Sequence, residues 1–490
     1  MRIQFGKDQD ERANFNIFYN VGFPFDIPNS TIVTGAKGEK IINGGMQPIT
    51  GMTGSANTYK SVIGQYLSLA YANVMCTSTP DLQIILYDTE DTISIARLEN
   101  LASKFEHIPP NPITGENPIW DVYTKSRKSG DKFSQDLYEY YEAKIKDKSK
   151  LTLAPFVNIY TKKPLEIKIP TLVMIDSLTE FDPEASMDVV MDSLTTSDSN
   201  TLFLREGLFK TKFLKILQTI ANTAEIKFVL TAHMGDKKNL ATGPAAYGPP
   251  NKQLQHMKTD KEMKGVTSKL IFLSNVIYES SSVSNLANPS TKEPEYPSKT
   301  GCNLEKDMNI IKIMSLRNKG GTTGSTLGIV ATQSEGVMKH LTAFHYIKEN
   351  NRYGLDGSTL SYELVLRPGV KLSRTTVRDK FDSDYKLARA LALTAELHQF
   401  SIYHSTYLSY NDRACDPKTL YDDIAKAGYD WDELLDTRGY WIPDQYNKDI
   451  RPFLSIIDLI LLRAENKVPY FIDAQTKRIK KEYIGKWKTA

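Results

Sequence analysis

Three nearly uninterrupted apolar runs constrain this chain most: Leu82–Tyr87 (LQIILY), Thr171–Ile175 (TLVMI) and Lys227–Thr231 (KFVLT). A strand wet on one face alternates apolar and polar residues, whereas runs without alternation need cover on both faces, as the strands of a parallel sheet have. Segments of helical periodicity interleave with them. SVIGQYLSLAYANVM precedes the first run, DTEDTISIARLENLASKF follows it, and LFKTKFLKILQTIANT separates the second from the third. This order predicts an α/β fold with a mostly parallel, twisted sheet flanked by helices. At 490 residues the chain has room for roughly two to four structural units, so a peptide-sized scaffold is excluded.

The boundaries follow the pattern. Residues 1–44 mix short aromatic stretches with turn-rich FPFDIPNS and TGAKGEK and read as an arm and entry segment, a candidate for oligomerisation. Residues 45–373 carry the strand and helix alternation. Residues 374–490 turn largely helical (DYKLARALALTAELHQF, FLSIIDLILLRAEN) and read as an accessory domain. Within the core, residues 107–131 are rich in Pro, Gly and Asn and read as a long loop, followed by a charged amphipathic helix (FSQDLYEYYEAKIKDK). Strands LIFLSN, IIKIMSLRN, TLGIVAT and SYELVLR extend the sheet edge.

Several classes drop out. The N-terminus has no uninterrupted apolar segment of the secretory kind, and the run at 453–462 is broken by Ser455 and Asp458, so neither secretion nor a membrane span is expected. Cys76, Cys302 and Cys415 lie far apart and are odd in number, which favours a reducing compartment without structural disulfides or zinc. A formal charge of +3 is too small to demand a polyanionic partner, so any nucleic-acid surface must come from local clustering.

The most informative segment is Gly54-Ser55-Ala56-Asn57-Thr58-Tyr59-Lys60-Ser61, between a strand and a helix. Its spacing is that of a phosphate-binding loop with tyrosine in place of the second glycine. Backbone amides at the positive end of the helix would wrap phosphates, the Lys60 ammonium would reach the outer ones, and the Ser61 hydroxyl would ligand Mg²⁺. The alternative is a polar strand-to-helix turn. Asp176 ends the TLVMI strand, where a carboxylate would reach the Mg²⁺ sphere; the alternative is a helix cap. Glu90, in Tyr87-Asp88-Thr89-Glu90-Asp91, could polarise an attacking water; the alternative is an acidic first helical turn.

Together these segments resemble the ATPase core of the RecA family of DNA strand-exchange proteins, and most closely the phage UvsX-type recombinases, over about Gly45 to Gly336. The resemblance rests on the phosphate loop with its aromatic before the lysine, on Asp88-Thr89-Glu90 with Ala96-Arg97 after it, and on Ile175-Asp176-Ser177. It implies a RecA-like P-loop NTPase core binding ATP and Mg²⁺, with Glu90 activating water and His233 sensing the γ-phosphate. Arg317 and Lys319 would act on the neighbouring subunit's nucleotide. It further implies single-stranded and then duplex DNA as partners, a homo-oligomeric filament, a single-strand-binding or loader protein, and the cytoplasm of a phage-infected bacterium. The residue that contacts adenine has no clear counterpart.

The segment from Met234 to Gly265 offers Lys237, Lys238, Lys252, Lys258, Lys261 and Lys264, several glycines and Tyr247, which suits a flexible loop for single-stranded nucleic acid. The alternative is a solvated surface loop. Asp192–Gly207, with Arg205 its basic residue, occupies the place of the family's other DNA loop. A DnaB-like hexameric replicative helicase and a nucleotide-binding filament or scaffold without turnover remain as alternative functions.

Overall fold

The computed structural model describes residues 15–79, 81–184, 199–237, 252–266, 268–298, 307–403 and 409–485. A hairpin of β1 (Thr31–Thr34) and β2 (Lys40–Asn43) leads into β3 (Ile49–Gly54), helix α1 (Lys60–Cys76) and β4 (Gln83–Asp88). Then come α2 (Ile95–Ala102), β5 (Trp120–Thr124), α3 (Gly130–Lys146), the β6 (Leu151–Val157) and β7 (Pro164–Lys168) hairpin, and β8 (Thr171–Asp176). Helix α4 (Ser199–Thr223) leads to β9 (Ile226–Asp236), β10 (Lys261–Met263), α5 (Ser268–Leu273) and β11 (Val276–Asn285). β12 (Asn309–Asn318), β13 (Thr326–Thr332) and β14 (Gly336–Val337) complete a sheet that is ten-stranded among the described residues, in the order β14-β13-β12-β11-β3-β9-β8-β4-β5 with β10 paired to β9.

From β11 to β5 every pair in that order is parallel; β12 to β14 continue antiparallel. The expected mostly parallel α/β sheet flanked by helices is therefore present. The apolar runs are dry on both faces because successive residues feed different cores. Leu86, Met174 and Val229 join the core built on α1, while Tyr87, Val173, Ile175, Phe228 and Leu230 join the one under α3 and α4. Gly64 lets α1 lie close to the sheet, since a Cβ there would meet Met174 Cε at 2.8 Å.

Three sequence expectations are corrected. The Pro- and Gly-rich 107–131 stretch is not all loop: it contains β5, paired in register with β4. LIFLSN is not a strand; residues 268–273 form α5, and the strand beside β3 is the serine-rich β11. SYELVLR does not extend the large sheet but lies in a separate three-stranded one, β15 (Leu355–Gly357), β16 (Tyr362–Leu364) and β17 (Arg367–Leu372).

A third core gathers α6 (Lys339–Glu349), β15 to β17, α7 (Val377–Ser383), α8 (Tyr385–Ile402), α9 (Pro417–Lys426), α10 (Trp431–Leu435) and α11 (Ile456–Glu465). It runs through residue 374 without a break, with Leu364 and Leu372 beside Val377 and Leu387 in one cluster. The C-terminal segment also reaches the first core through the fully buried Trp441, whose ring lies 5.0 Å from those of Tyr19 and Phe156. No helix among the described residues is long and apolar enough to cross a membrane.

Candidate functional site: the C-terminal edge of the parallel strands

Parallel strands present their C-terminal ends, and the helix N-termini that follow, on one edge, where ligands of open α/β sheets bind. Here Gly54 closes β3, His233 pairs with it across β9, and Asp88 pairs with Asp176 across β4 and β8. The candidate residues from four separate sequence segments thus converge on one edge.

The loop between β3 and α1 is tight. Asn57 and Tyr59 adopt left-handed backbone conformations, with φ of 58° and 65°. Gly54 cannot carry a side chain, because a Cβ would stand 2.5 Å from Thr58 Oγ1 and 3.0 Å from Ser280 O. Thr58 Oγ1 donates to Ser55 O at 2.8 Å, and the Ser280 hydroxyl holds Thr58 O from β11. Ser55 is half-buried while Ala56 and Asn57 are exposed at the loop tip. The Tyr59 hydroxyl accepts from Asn309 at 2.8 Å, so this ring is fixed against β12 instead of crowding the loop.

Lys60 opens α1 and is 7% exposed. Its ammonium donates to Ser55 O at 3.1 Å, and among the described residues no carboxylate lies within ion-pair distance. Burial lowers its pKa, and the fields of Asp176 and Glu90 oppose that. Asp176 is likewise buried, and burial raises its pKa against hydrogen bonds from Thr231 and Ser61, with Glu90 and Asp88 pushing the same way as burial. The Ser61 hydroxyl and the Asp176 carboxylate lie near enough for the hydroxyl to favour the ionised carboxylate, and both are hard oxygen donors of the kind Mg²⁺ takes.

Glu90 stands across the edge. Its Oε1 lies 2.7 Å from His233 Nε2 and accepts from Ser177 Oγ at 3.2 Å. Its backbone amide is held by Asp88 Oδ1 at 3.0 Å. Thr89 and Ser177 exchange two bonds, Thr89 Oγ1 to Ser177 O at 2.9 Å and Ser177 N to Thr89 Oγ1 at 2.6 Å. The turns after β4 and β8 are thereby fixed to each other. His233 itself is anchored by Thr179, whose Oγ1 accepts from the His233 amide at 2.9 Å.

The other candidates lie elsewhere. Arg317 and Lys319 are at the opposite edge: Arg317 pairs with Ile277 and Ile277 with Gly51, three residues or roughly 10 Å back along the strand from Gly54 and two strands across. Arg317 donates to the carbonyls of Ser274 and Phe272, and Lys319 to that of Leu273, so both cap α5. They do not reach the loop between β3 and α1 of their own chain. Arg205 is not on a loop but exposed on α4. Tyr247 lies outside the described residues. Lys252 and Lys258 are exposed, Lys252 donating to Gln255 O at 3.3 Å. Lys264 follows β10 and is engaged, donating to Asp236 O at 2.6 Å and pairing with Glu262 at 2.7 Å. Residues 261–263 are thus a strand and not free loop.

Residues with no role in the sequence expectations are Thr179, Thr231, Ser280 and Asn309, and Ser177 entered them only as the last residue of Ile175-Asp176-Ser177, without its bond to Glu90. Each acts through a hydroxyl or amide, a group that carries no signal of its own in sequence. No family model matches the sequence, and no curated protein matches it.

Proposed function

We propose that this chain is an ATP-hydrolysing, single-stranded-DNA-binding filament former of the RecA recombinase kind. The observation that carries the reading is the convergence of Lys60, Ser61 with Asp176, and Glu90 with His233 on one edge, with β9 between β3 and β8. His233 therefore stands between the phosphate loop and the acidic residues. A nucleotide-linked sensor needs that position, because a group there meets both the terminal phosphate and the residue that orients water.

In this reading the amides of residues 55–60 and the Lys60 ammonium hold the phosphates, and Ser61 and Asp176 hold Mg²⁺. Held there, Mg²⁺ would supply positive charge to the phosphate oxygens. Glu90 takes the proton of the attacking water through the oxygen that His233 and Ser177 leave unused, while those two fix the carboxylate's orientation. Arg317 and Lys319, unable to serve their own loop, complete the site of the next subunit, so turnover depends on assembly. The exposed Lys252 and Lys258 supply phosphate contacts to a single strand.

The test is phosphate release from ATP with and without single-stranded DNA, alongside negative-stain imaging with a non-hydrolysable ATP analogue. DNA-stimulated release from open helical filaments is expected. Closed rings would favour the helicase reading, and nucleotide binding without release the scaffold.

A further inference from the structure

Lys210 of α4 is a buried lysine for which the proposed chemistry has no use. Its ammonium donates to Thr179 O at 2.8 Å and Gly265 O at 3.0 Å and pairs with Asp182 Oδ1 at 3.1 Å. Three hydrogens meet three acceptors, so the group is saturated and its position fixed. Asp182 in turn pairs through Oδ2 with Lys125 at 3.1 Å.

What those acceptors belong to gives the arrangement its meaning. Thr179 and Asp182 lie in the turn after Asp176, at the near root of the segment that carries Arg205 at its far side. Lys210 itself stands on the helix at that far side. Gly265 lies at the closing root of the segment that leaves β9 and returns through β10. One ammonium therefore ties the roots of both candidate strand-binding segments. The site Lys210 joins is close-fitting: Gly265 has φ of 61°, and a Cβ there would meet Thr179 O at 2.8 Å.

Thr179 carries the tie to the phosphate edge. Its hydroxyl accepts from the His233 amide and donates to Lys264 O at 3.2 Å, while the Lys264 amide donates to His233 O at 2.8 Å. His233 meets Glu90, and Glu90 meets Ser177, two residues before Thr179. A displacement of either root moves Thr179, and with it the backbone of His233.

We propose that Lys210 is a positioning residue that couples strand occupancy at the two segment roots to the Glu90–His233 pair. This rests on the ATPase and DNA-binding reading above. A buried ammonium on α4 whose three acceptors are divided between two other segments resists independent movement of any of the three, and removing it lets the roots move separately.

The experiment compares wild type with Lys210→Met and Lys210→Arg. ATP turnover is measured with and without single-stranded DNA, and hydrogen exchange is measured at residues 177–182 and 264–266. In Lys210→Met the stimulation by DNA should fall about tenfold, within the usual range of coupling energies, while turnover without DNA stays within about twofold. Exchange should quicken at both roots together. Lys210→Arg, which keeps the charge, should recover part of the coupling. Unchanged stimulation in a folded Lys210→Met protein, or faster exchange confined to α4, would overturn the proposal. If wild type shows no stimulation by DNA, the functional reading fails instead, and exchange at the two roots still decides whether Lys210 ties them. Should Lys210→Met not fold, Asp182→Asn with Lys210→Met removes the stranded carboxylate, and the same two readouts apply.

Discussion

The two ends of the central sheet bury lysines in opposite ways. At the N-terminal end, Lys227 of β9 is 1% exposed, pairs with Glu225 at 2.8 Å and lies over the Tyr19 ring, whose hydroxyl donates to the same carboxylate at 3.1 Å. At the C-terminal end, Lys60 is nearly as buried but is held by a single backbone carbonyl. A buried ammonium matched by a carboxylate is internally satisfied; one matched by a carbonyl alone keeps an unanswered charge. Lys227 is therefore finished by the chain's own side chains, whereas Lys60 has only Ser55 O among the described residues, which is what the proposed phosphate site requires. Arg317 and Lys319 fit neither description: they are not buried, and they meet only the backbone carbonyls at the end of α5.

Substituting the two lysines is the strongest way to break this contrast. Lys60→Ala should abolish ATP turnover, a loss of about 10³ or more, since it removes the charge aimed at the outer phosphates, with little effect on urea unfolding. Lys227→Ala should instead cost about 3–5 kcal/mol of stability, because it leaves the Glu225 carboxylate without its cation. Equal destabilisation by both, with turnover intact in Lys60→Ala, would erase the distinction between the ends. Next in size, Glu90→Gln should lower hydrolysis by about 10² while nucleotide and DNA binding persist. Persistent turnover with loss of DNA binding would make Glu90 part of the scaffold.

Buried carboxylates with no cation within ion-pair distance among the described residues extend the contrast into the C-terminal region. Asp458, the third residue of a capping box at α11, has its pKa pushed up to about 7 by burial, against bonds from the Lys40 amide and Ser455. Its unfolded value is near 3.8. The folded state therefore binds the proton more tightly, so this contribution is complete below about pH 4 and is lost as pH rises to about 7. Melting temperature should fall across that window, and less steeply in Asp458→Asn. Asp26, also pushed up to about 7 by burial, retains its own share of the slope. A variant as pH-sensitive as wild type would remove Asp458 from the titration.

The smallest effect separates exposed lysines from one already paired with a carboxylate. Neutralising Lys252 and Lys258 should flatten the dependence of log K on log salt for single-stranded DNA by about 1.4, at about 0.7 per released contact. Adding Lys264 should change it little, because Glu262 and Asp236 already occupy that ammonium. A further step of about 0.7 would mean that Lys264 leaves its partners for DNA.

The parts of the fold visible in the sequence were those written by burial on both faces. LQIILY, TLVMI and KFVLT emerge as β4, β8 and β9, and the Gly54–Ser61 spacing as a strand, tight loop and helix. Short elements escaped. β5 (WDVYT) is interrupted by Asp121 and follows a proline, and α5 spans only six residues, too few for helical and strand periods to differ. β11 is hard to see because its last seven residues, ESSSVSN, are mostly polar, yet it supplies Ser280 to the loop between β3 and α1. In the candidate site the charged members were legible because their chemistry is rare at strand ends. The hydroxyls of Ser177, Thr179 and Thr231 were not, since serine and threonine are common everywhere and only sheet register makes these three meet Glu90, His233 and Asp176.

The most direct measurement of the central claim mixes Lys60→Ala protein with Arg317→Ala protein and follows phosphate release across the ratio. If one edge of the sheet holds the phosphates and the other edge completes the site of the next subunit, each preparation alone is inactive. Mixtures then recover turnover, with a maximum near equal amounts, because interfaces between the two variants pair an intact Lys60 with an intact Arg317. No recovery at any ratio, with co-assembly verified by imaging, would contradict this and make each phosphate site complete within its own chain.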